Sequence, residues 1–482
     1  MEAAMPDAAR KNLWFGVALA LLASLPYLFS VYPQLTDYPS HLARYRVMLD
    51  SGQSPFLVRY YDFHWILAGN IGADLLMVPL SHAFGLECAG WLLGMILPPL
   101  TGLGLVAVEW TLRRRVGIAL PLACVMIWSP AMGMGFYNFC LSLALALFAF
   151  AGWVRLGQWR GRWALFLPIG LVVWLCHASG WGVLGVLIFG YEWHRQKGLS
   201  AFLAPWPLSL PVVPMLLSGG AAGGLSFGDN VLAYKTAIWL KALRDQSMPL
   251  DLATLGFVVF AVLVAALARR IDGRLGWAAL ILGGLTIAMP RHFGGGDFAD
   301  YRLIAVALMI GCLAIDWSPP LRVLLLASLP FLVRIGVTTF AWHGQSQVLA
   351  EDLRALDRLP AGAIVAGAVV VDPAYWGINP FEHAPSYATV RRDALVNSHF
   401  AIPGIHMLQL RNAPQGFVDP SQRIFAKRGD VVDLTSFAPA RSAGYLWYFG
   451  PVGAARLPAG AQVLHATQDS ILARLAKSPV PR

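Results

Sequence analysis

The stretch "LWFGVALALLASLPYLFSVYPQLTDYPSHLARYR", residues 13–46, holds the reading of the chain. Residues 13–31 are an uncharged apolar run of the length a membrane-spanning helix needs. A few residues later come an acid, an imidazole and two guanidiniums: Asp37, His41, Arg44 and Arg46. Charged groups facing lipid cost several kcal/mol unless they meet a cavity or a partner. Their concentration at this boundary therefore asks for a function.

The rest of the chain resembles its opening run. Of 482 residues, 57% are hydrophobic and 13% charged, with a mean hydropathy of +0.59. Soluble domains carry about 25% charged residues. Apolar runs recur at roughly 13–31, 88–111, 116–132, 136–155, 162–178, 180–194, 199–218, 250–269, 275–291, 300–316 and 319–340. The expected fold class is an α-helical polytopic membrane protein with about eleven transmembrane helices. The period-2 alternation of a membrane β-barrel is missing. Arg10 and Lys11 precede a run with no small-residue cleavage site, so the first run is read as a retained span.

Charge sets the expected orientation. Arg113, Arg114, Arg115, Arg155, Arg160, Arg162, Arg195, Lys197, Arg269, Arg270 and Arg274 all fall between alternate spans, on the cytoplasmic side if the N-terminus is cytoplasmic. The net charge of +10 is then topological, with attraction to anionic membrane lipids, and no nucleic-acid motif accompanies it. The five cysteines lie in apolar segments without metal-ligand spacing.

Residues 1–342 form the expected transmembrane domain, with outside loops at 32–87, 219–249 and 290–302. The first loop includes an apolar stretch broken by Asp74, Pro79 and His82, read as helices in the interface plane. The second is Gly-rich at "GGAAGGLSFGDN" and then amphipathic around Lys235. The third is "PRHFGGGDFADYR". Residues 343–482 are read as a small α/β domain outside the membrane. "QSQVLAEDLRALDRL" is expected as a helix; "AIVAGAVVV", "YLWYFG" and "AQVLHA" as strands; and "SILARLAK" as a closing helix.

In "TDYPSHLARYR", Thr36 and Asp37 suit a helix N-terminus and Pro39 its first turn. Asp37, His41 and Arg44 then share one helix face. A plain N-cap with a solvated face would account for the same residues. The third loop adds Arg291, His292, Asp297, Asp300 and Arg302 at the mouths of two spans. Such arginines can be snorkelling anchors; beside a Gly-rich turn they also suit a phosphate, which a guanidinium grips with forked donors. An acid to take a proton from an acceptor hydroxyl and arginines to hold a phosphate leaving group together suit glycosyl transfer from a lipid-phosphate sugar. Lys235, Tyr137, Asn138 and His177 are further candidates for substrate contact. Structural readings compete: an interface-belt ring for Tyr137, and a satisfied span-end group for His177. A divalent cation is left open, with Asp37 and His41 at i, i+4 and His292 or Asp297 completing a shell; no metal ligand is assigned.

The Asp following the first span, the interfacial "ADLLMVPLSHAFGLECAGWL" and the span ending in "LRRR" resemble the C-type (GT-C) integral-membrane glycosyltransferases. "DYPSHLAR" and "ADYRL" are similar to strings in uncharacterised bacterial members. The resemblance covers the first 340 residues as architecture. It implies an inverting transferase of the bacterial inner membrane in polysaccharide biosynthesis. A polyprenyl-phosphate-linked sugar would be the donor, a glycan, lipid or protein the acceptor, and Asp37 the general base. Many relatives carry a second acid here, where this chain has Tyr38. A lipid-linked oligosaccharide ligase or polymerase is the enzymatic alternative. A flippase is the alternative from another class, though no inverted repeat is visible.

Overall fold

A computed structural model of the chain describes residues 7–217, 224–293, 296–403, 405–427 and 429–476. Most of "GGAAGG" and two glycines of "GGG" lie outside the described residues. The chain forms two compact units. One comprises Met1–Phe29, Leu67–Leu76 and Leu92–Phe340; the other comprises Ser30–Ile66, Met77–Trp91 and Ala341–Arg482. The first unit is helical. The second contains the sheet expected after residue 343, and also takes in most of the first loop.

Three described helices are long and apolar enough to cross a membrane: Leu86–Arg113, Tyr137–Leu156 and Met248–Leu267. A fourth arises if the pair Leu321–Ala327 and Leu329–Arg358, bent by 42°, counts as one span. Other apolar segments form shorter helices, among them Arg162–Cys176, Gly273–Ala288 and Tyr301–Leu313. The expected first span is divided into Asp7–Leu22 and Leu25–Leu28. Two further expected spans are broken. Residues 199–218 contain the pieces Leu199–Leu203, Trp206–Ser209 and Val212–Leu217. Residues 116–132 contain Ala119–Cys124, a 3₁₀ turn at Val125–Trp128 and the start of Pro130–Gly133. Prolines explain these two breaks. Pro205, Pro207, Pro211 and Pro214 interrupt residues 199–218 and Pro130 residues 116–132, each removing an N–H and crowding the preceding turn.

Within this unit Ala178–Gln196 packs against Gly273–Ala288, which in turn packs against Tyr301–Leu313. Gly190 permits the first contact: a Cβ there would fall 2.8 Å from Ala278 N. Loop residues expected on one side meet one another. Arg113 lies 3.2 Å from Asp272, which Arg274 also holds, and 3.7 Å from Glu109 on its own helix. Arg162 and Arg195 converge on Glu192. Deeper in the unit, Arg334 is buried and pairs with Asp251, while its Nη2 donates to Leu243 O at 3.0 Å and Trp128 O at 3.3 Å.

In the second unit, Ile364–Val371 is the sheet's organising strand. It runs parallel to Tyr445–Phe449 on one side, and on the other to Leu395–Val396 and Arg423–Phe425. Ser470–Arg474 and Gln462–Ala466 continue the sheet antiparallel. Ile364–Val371 is buried along most of its length, as expected of a parallel strand covered on both faces. The expected closing helix "SILARLAK" is instead the strand Ser470–Arg474. A short apolar run has no decisive period, and here it sits between two pairing partners.

The first-loop segment joins this unit through pairing and packing. Tyr61–Phe63 pairs antiparallel with Leu408–Leu410. Beneath the pair, Val47, Leu57, Tyr60 and Tyr61 share a core with Leu395, Ala401, Leu408 and Phe417.

Breaking a buried ion pair leaves an uncompensated charge costing about 3–5 kcal/mol, whereas replacing both partners with apolar groups is often close to neutral. Thermal unfolding in detergent should therefore show Arg334→Met strongly destabilised, with Asp251→Leu/Arg334→Met recovering most of the loss.

Candidate functional site

The helix Tyr38–Asp50 begins at Asp37, as the sequence leads one to expect. The Asp37 carbonyl accepts from His41 N at 3.0 Å, but its side chain makes no cap hydrogen bond. The carboxylate is thus available for another role. Its side chain is only 16% exposed. Thr36 Oγ1 ties the start of this helix to Asn379 O at 2.8 Å, bringing it beside the turn that carries Glu382 and His383.

His383 is fully buried. Its Nδ1 lies 2.8 Å from Ser398 O. A carbonyl only accepts, so Nδ1 carries the proton and Nε2 is the ring's other functional end. Nε2 has no hydrogen-bond partner and lies 3.8 Å from Asp37 Oδ1 and 3.5 Å from Asp419 Oδ1. Asp419 also accepts from Gln422 Nε2 at 2.6 Å. Arg423 lies 3.6 Å from Asp419 and also pairs with Glu382.

On the same helix face, Arg44 is buried and His41 half-buried. His41 stacks near Tyr45, and the Arg44 guanidinium lies 5.2 Å from the Tyr45 ring centroid. Phe400 is surrounded by three imidazoles, those of His383, His41 and His406, with centroids 4.8, 5.7 and 6.0 Å away.

Burial raises the Asp37 pKa from 3.8 to about 7; His383 and Arg423 oppose the rise, while Glu382 and Asp419 add to it. Burial also pushes His41 well below the ordinary histidine range, helped by Arg44, His383 and His406. His406 falls to about 4, through burial and then Arg44, against the opposing Asp419. Asp37 is therefore a carboxyl that exchanges protons near neutrality, close to His41 and His406, which burial keeps neutral. A titratable group tuned in this way is a functional-site signature.

The other expected site residues lie in the helical unit. Lys235 donates to Thr286 O, Met289 O and Asp300 Oδ2 at 2.8, 2.7 and 2.6 Å. An ammonium has three protons, so none remains for a phosphate and we keep Lys235 out of the proposed site. Asn138 accepts from Ala73 N at 2.6 Å and donates to Asn70 O at 2.9 Å, which holds the 70–74 segment in place. Tyr137 Oη lies 3.1 Å from Tyr27 Oη.

Arg291 forms a two-point pair with Asp297, and His292 Nδ1 lies 3.3 Å from the same carboxylate. Arg302 reaches His177 Nε2 at 2.8 Å and Asp297 O at 3.1 Å, with its guanidinium 4.2 Å from the Phe136 ring centroid. His177 Nδ1 also lies 3.0 Å from the Ser179 amide. A neutral imidazole accepts at only one nitrogen, so Arg302 and that amide compete for the ring. Among the described residues, no group of three or more His, Cys, Asp or Glu side chains is arranged to hold a metal ion.

Sequence reasoning placed Asp37, His41 and Arg44 together but missed Glu382, His383, Phe400, His406, Asp419 and Arg423. A signal existed: "GINPFEHAPSYATVRRDALVNSHF" is dense in titratable residues without any catalytic motif. Compared with protein-family models and with curated proteins, the chain matches none.

A carboxyl whose pKa is higher folded than unfolded contributes stability fully below the unfolded value of 3.8 and loses it as pH climbs through about 7. One pKa unit is about 1.4 kcal/mol. The stability of Asp37→Asn relative to the parent protein should accordingly rise by about 2–3 kcal/mol between pH 5 and pH 8. Denaturation curves of the two proteins across that range check this.

Proposed function

We propose that the chain is an inverting membrane glycosyltransferase of C type. It would transfer a sugar from a polyprenyl-phosphate donor to a glycan, lipid or protein acceptor at the periplasmic face of the bacterial inner membrane. Its topology would be the one read from the charge pattern: eleven spans, some broken by proline, a cytoplasmic N-terminus and a periplasmic C-terminal region. The observation that carries the reading is Asp37, a largely buried, uncapped carboxyl whose pKa of about 7 suits general-base catalysis near neutral pH.

Asp37 takes the acceptor's hydroxyl proton. The acceptor oxygen bonds to the anomeric carbon on the face opposite the phosphate. The carbon–oxygen bond to phosphate breaks, and its electron pair stays on the phosphate. That charge is best met by a guanidinium. Within the helical unit, Arg302 beside His177, and Arg291 and His292 around Asp297, would bind a phosphate of the lipid donor. His41 and Arg44 are assigned to the acceptor side, on the helix face that carries Asp37.

General-base catalysis typically contributes about 10²–10⁴-fold in rate. Asp37→Asn keeps the shape and removes the base, so transfer from a radiolabelled polyprenyl-phosphate sugar should fall by at least about 100-fold with little change in donor KM. Transfer at near parental rate would exclude the role. For Arg302→Met, donor KM should rise together with a lower kcat.

A further inference from the structure

We infer that His383 is the positioning residue of the base: it receives the proton that Asp37 collects, and Asp419 steadies the resulting imidazolium. This rests on Asp37 acting as the base in the transfer proposed above.

The geometry singles out this imidazole. His383 is completely buried and its Nδ1 is engaged by Ser398 O, which fixes ring orientation and tautomer together. Its Nε2 faces two carboxylate oxygens, at 3.5 and 3.8 Å, and has no hydrogen-bond partner. A lone pair directed at two carboxylates is repelled by both. A proton arriving from Asp37 on Nε2 turns that repulsion into attraction to both carboxylates.

The neighbouring groups do not compete for that proton. His399 Nε2 is within 2.9 Å of both Tyr61 Oη and Thr389 Oγ1. His406 Nδ1 accepts from Ile402 N at 3.0 Å. A proton on His41 or His406 would face the Arg44 charge, which acts on both rings. Glu382 is paired with Arg423, which also reaches Asp419.

The step balances. After the acceptor oxygen has bonded to the anomeric carbon, the proton is on Asp37. It passes to His383 Nε2, Asp37 returns to carboxylate, and an imidazolium lies between two carboxylates. Water then removes the proton along Asp419, whose side chain is 15% exposed. A rotation of the Asp37 carboxyl that shortens the 3.8 Å gap by about 1 Å makes the required hydrogen bond.

The test is infrared titration of the full-length protein in detergent without donor. The Asp37 band is identified by its loss in Asp37→Asn. His383→Gln removes the imidazolium that forms when the pair takes up its proton and should raise the Asp37 midpoint by about one pH unit; Asp419→Asn removes an anion and should lower it. Shifts of opposite sign support the inference. No shift, or shifts of the same sign, overturns it. If His383→Gln does not fold, the Asp419→Asn shift decides by its sign.

The enzymatic arm reads transfer from a polyprenyl-phosphate sugar. His383→Gln should lose at least about tenfold in kcat, with KM within about twofold and the acid limb of the pH profile moved upward. If Asp37→Asn is inactive but His383→Gln keeps parental kcat and profile, the relay fails and the transferase reading survives. Opposite infrared shifts in a protein that transfers no sugar have the converse meaning: the coupling stands and the transferase reading fails.

Discussion

The antiparallel pairing of Tyr61–Phe63 with Leu408–Leu410, over the core of Val47, Leu57, Leu395 and Phe417, is the constraint on which the candidate site depends. It makes the segment after the first apolar run part of the same unit as the C-terminal sheet. The helix Tyr38–Asp50 lies within that segment, so the pairing also places Asp37 beside His383 and Asp419. Without it, Asp37 would be a solvated acid at a helix start, with an ordinary carboxylate pKa.

Within that unit the electrostatics follow from burial. Three carboxylates, Asp37, Glu382 and Asp419, are set against the guanidinium of Arg423. Desolvation disfavours charge on every member, and the partners decide which group yields. Arg423 pairs with Glu382 and reaches Asp419. Asp37 faces the imidazole of His383, and burial makes its proton the exchangeable one. The same burial keeps His41 and His406 neutral. One fixed imidazole contact, from Ser398 O to His383 Nδ1, orients the arrangement.

The helical unit treats its charges differently. Lys235, Arg291 and Arg334 each have a carboxylate partner, and Lys235 and Arg334 also donate to backbone carbonyls. In a low-dielectric interior such pairing is the condition for an ionised side chain to persist. Prolines set another local feature, breaking two apolar segments that hydrophobicity alone reads as continuous. Hydropathy measures whether a segment prefers lipid; it is blind to whether every residue can donate to the helix ladder.

Local chemistry was legible in the sequence. Apolar length announced helices long enough to cross a membrane, and the spacing of Asp37, His41 and Arg44 placed them on one helix face. "AIVAGAVVV" read as a buried strand because continuous β-branched and small residues suit a strand covered on both sides. "SILARLAK" misled because a few apolar residues fit a helix or a strand equally, and only its two neighbouring strands chose. The partners of Asp37 were equally hidden. His383 and Asp419 lie hundreds of residues away, and no spacing rule links them to residue 37. Sequence by itself determined which residues could ionise and which faces they share. Tertiary structure alone decided which of them lose water and which charges they meet, because desolvation and Coulomb energy depend on distance in space and not along the chain.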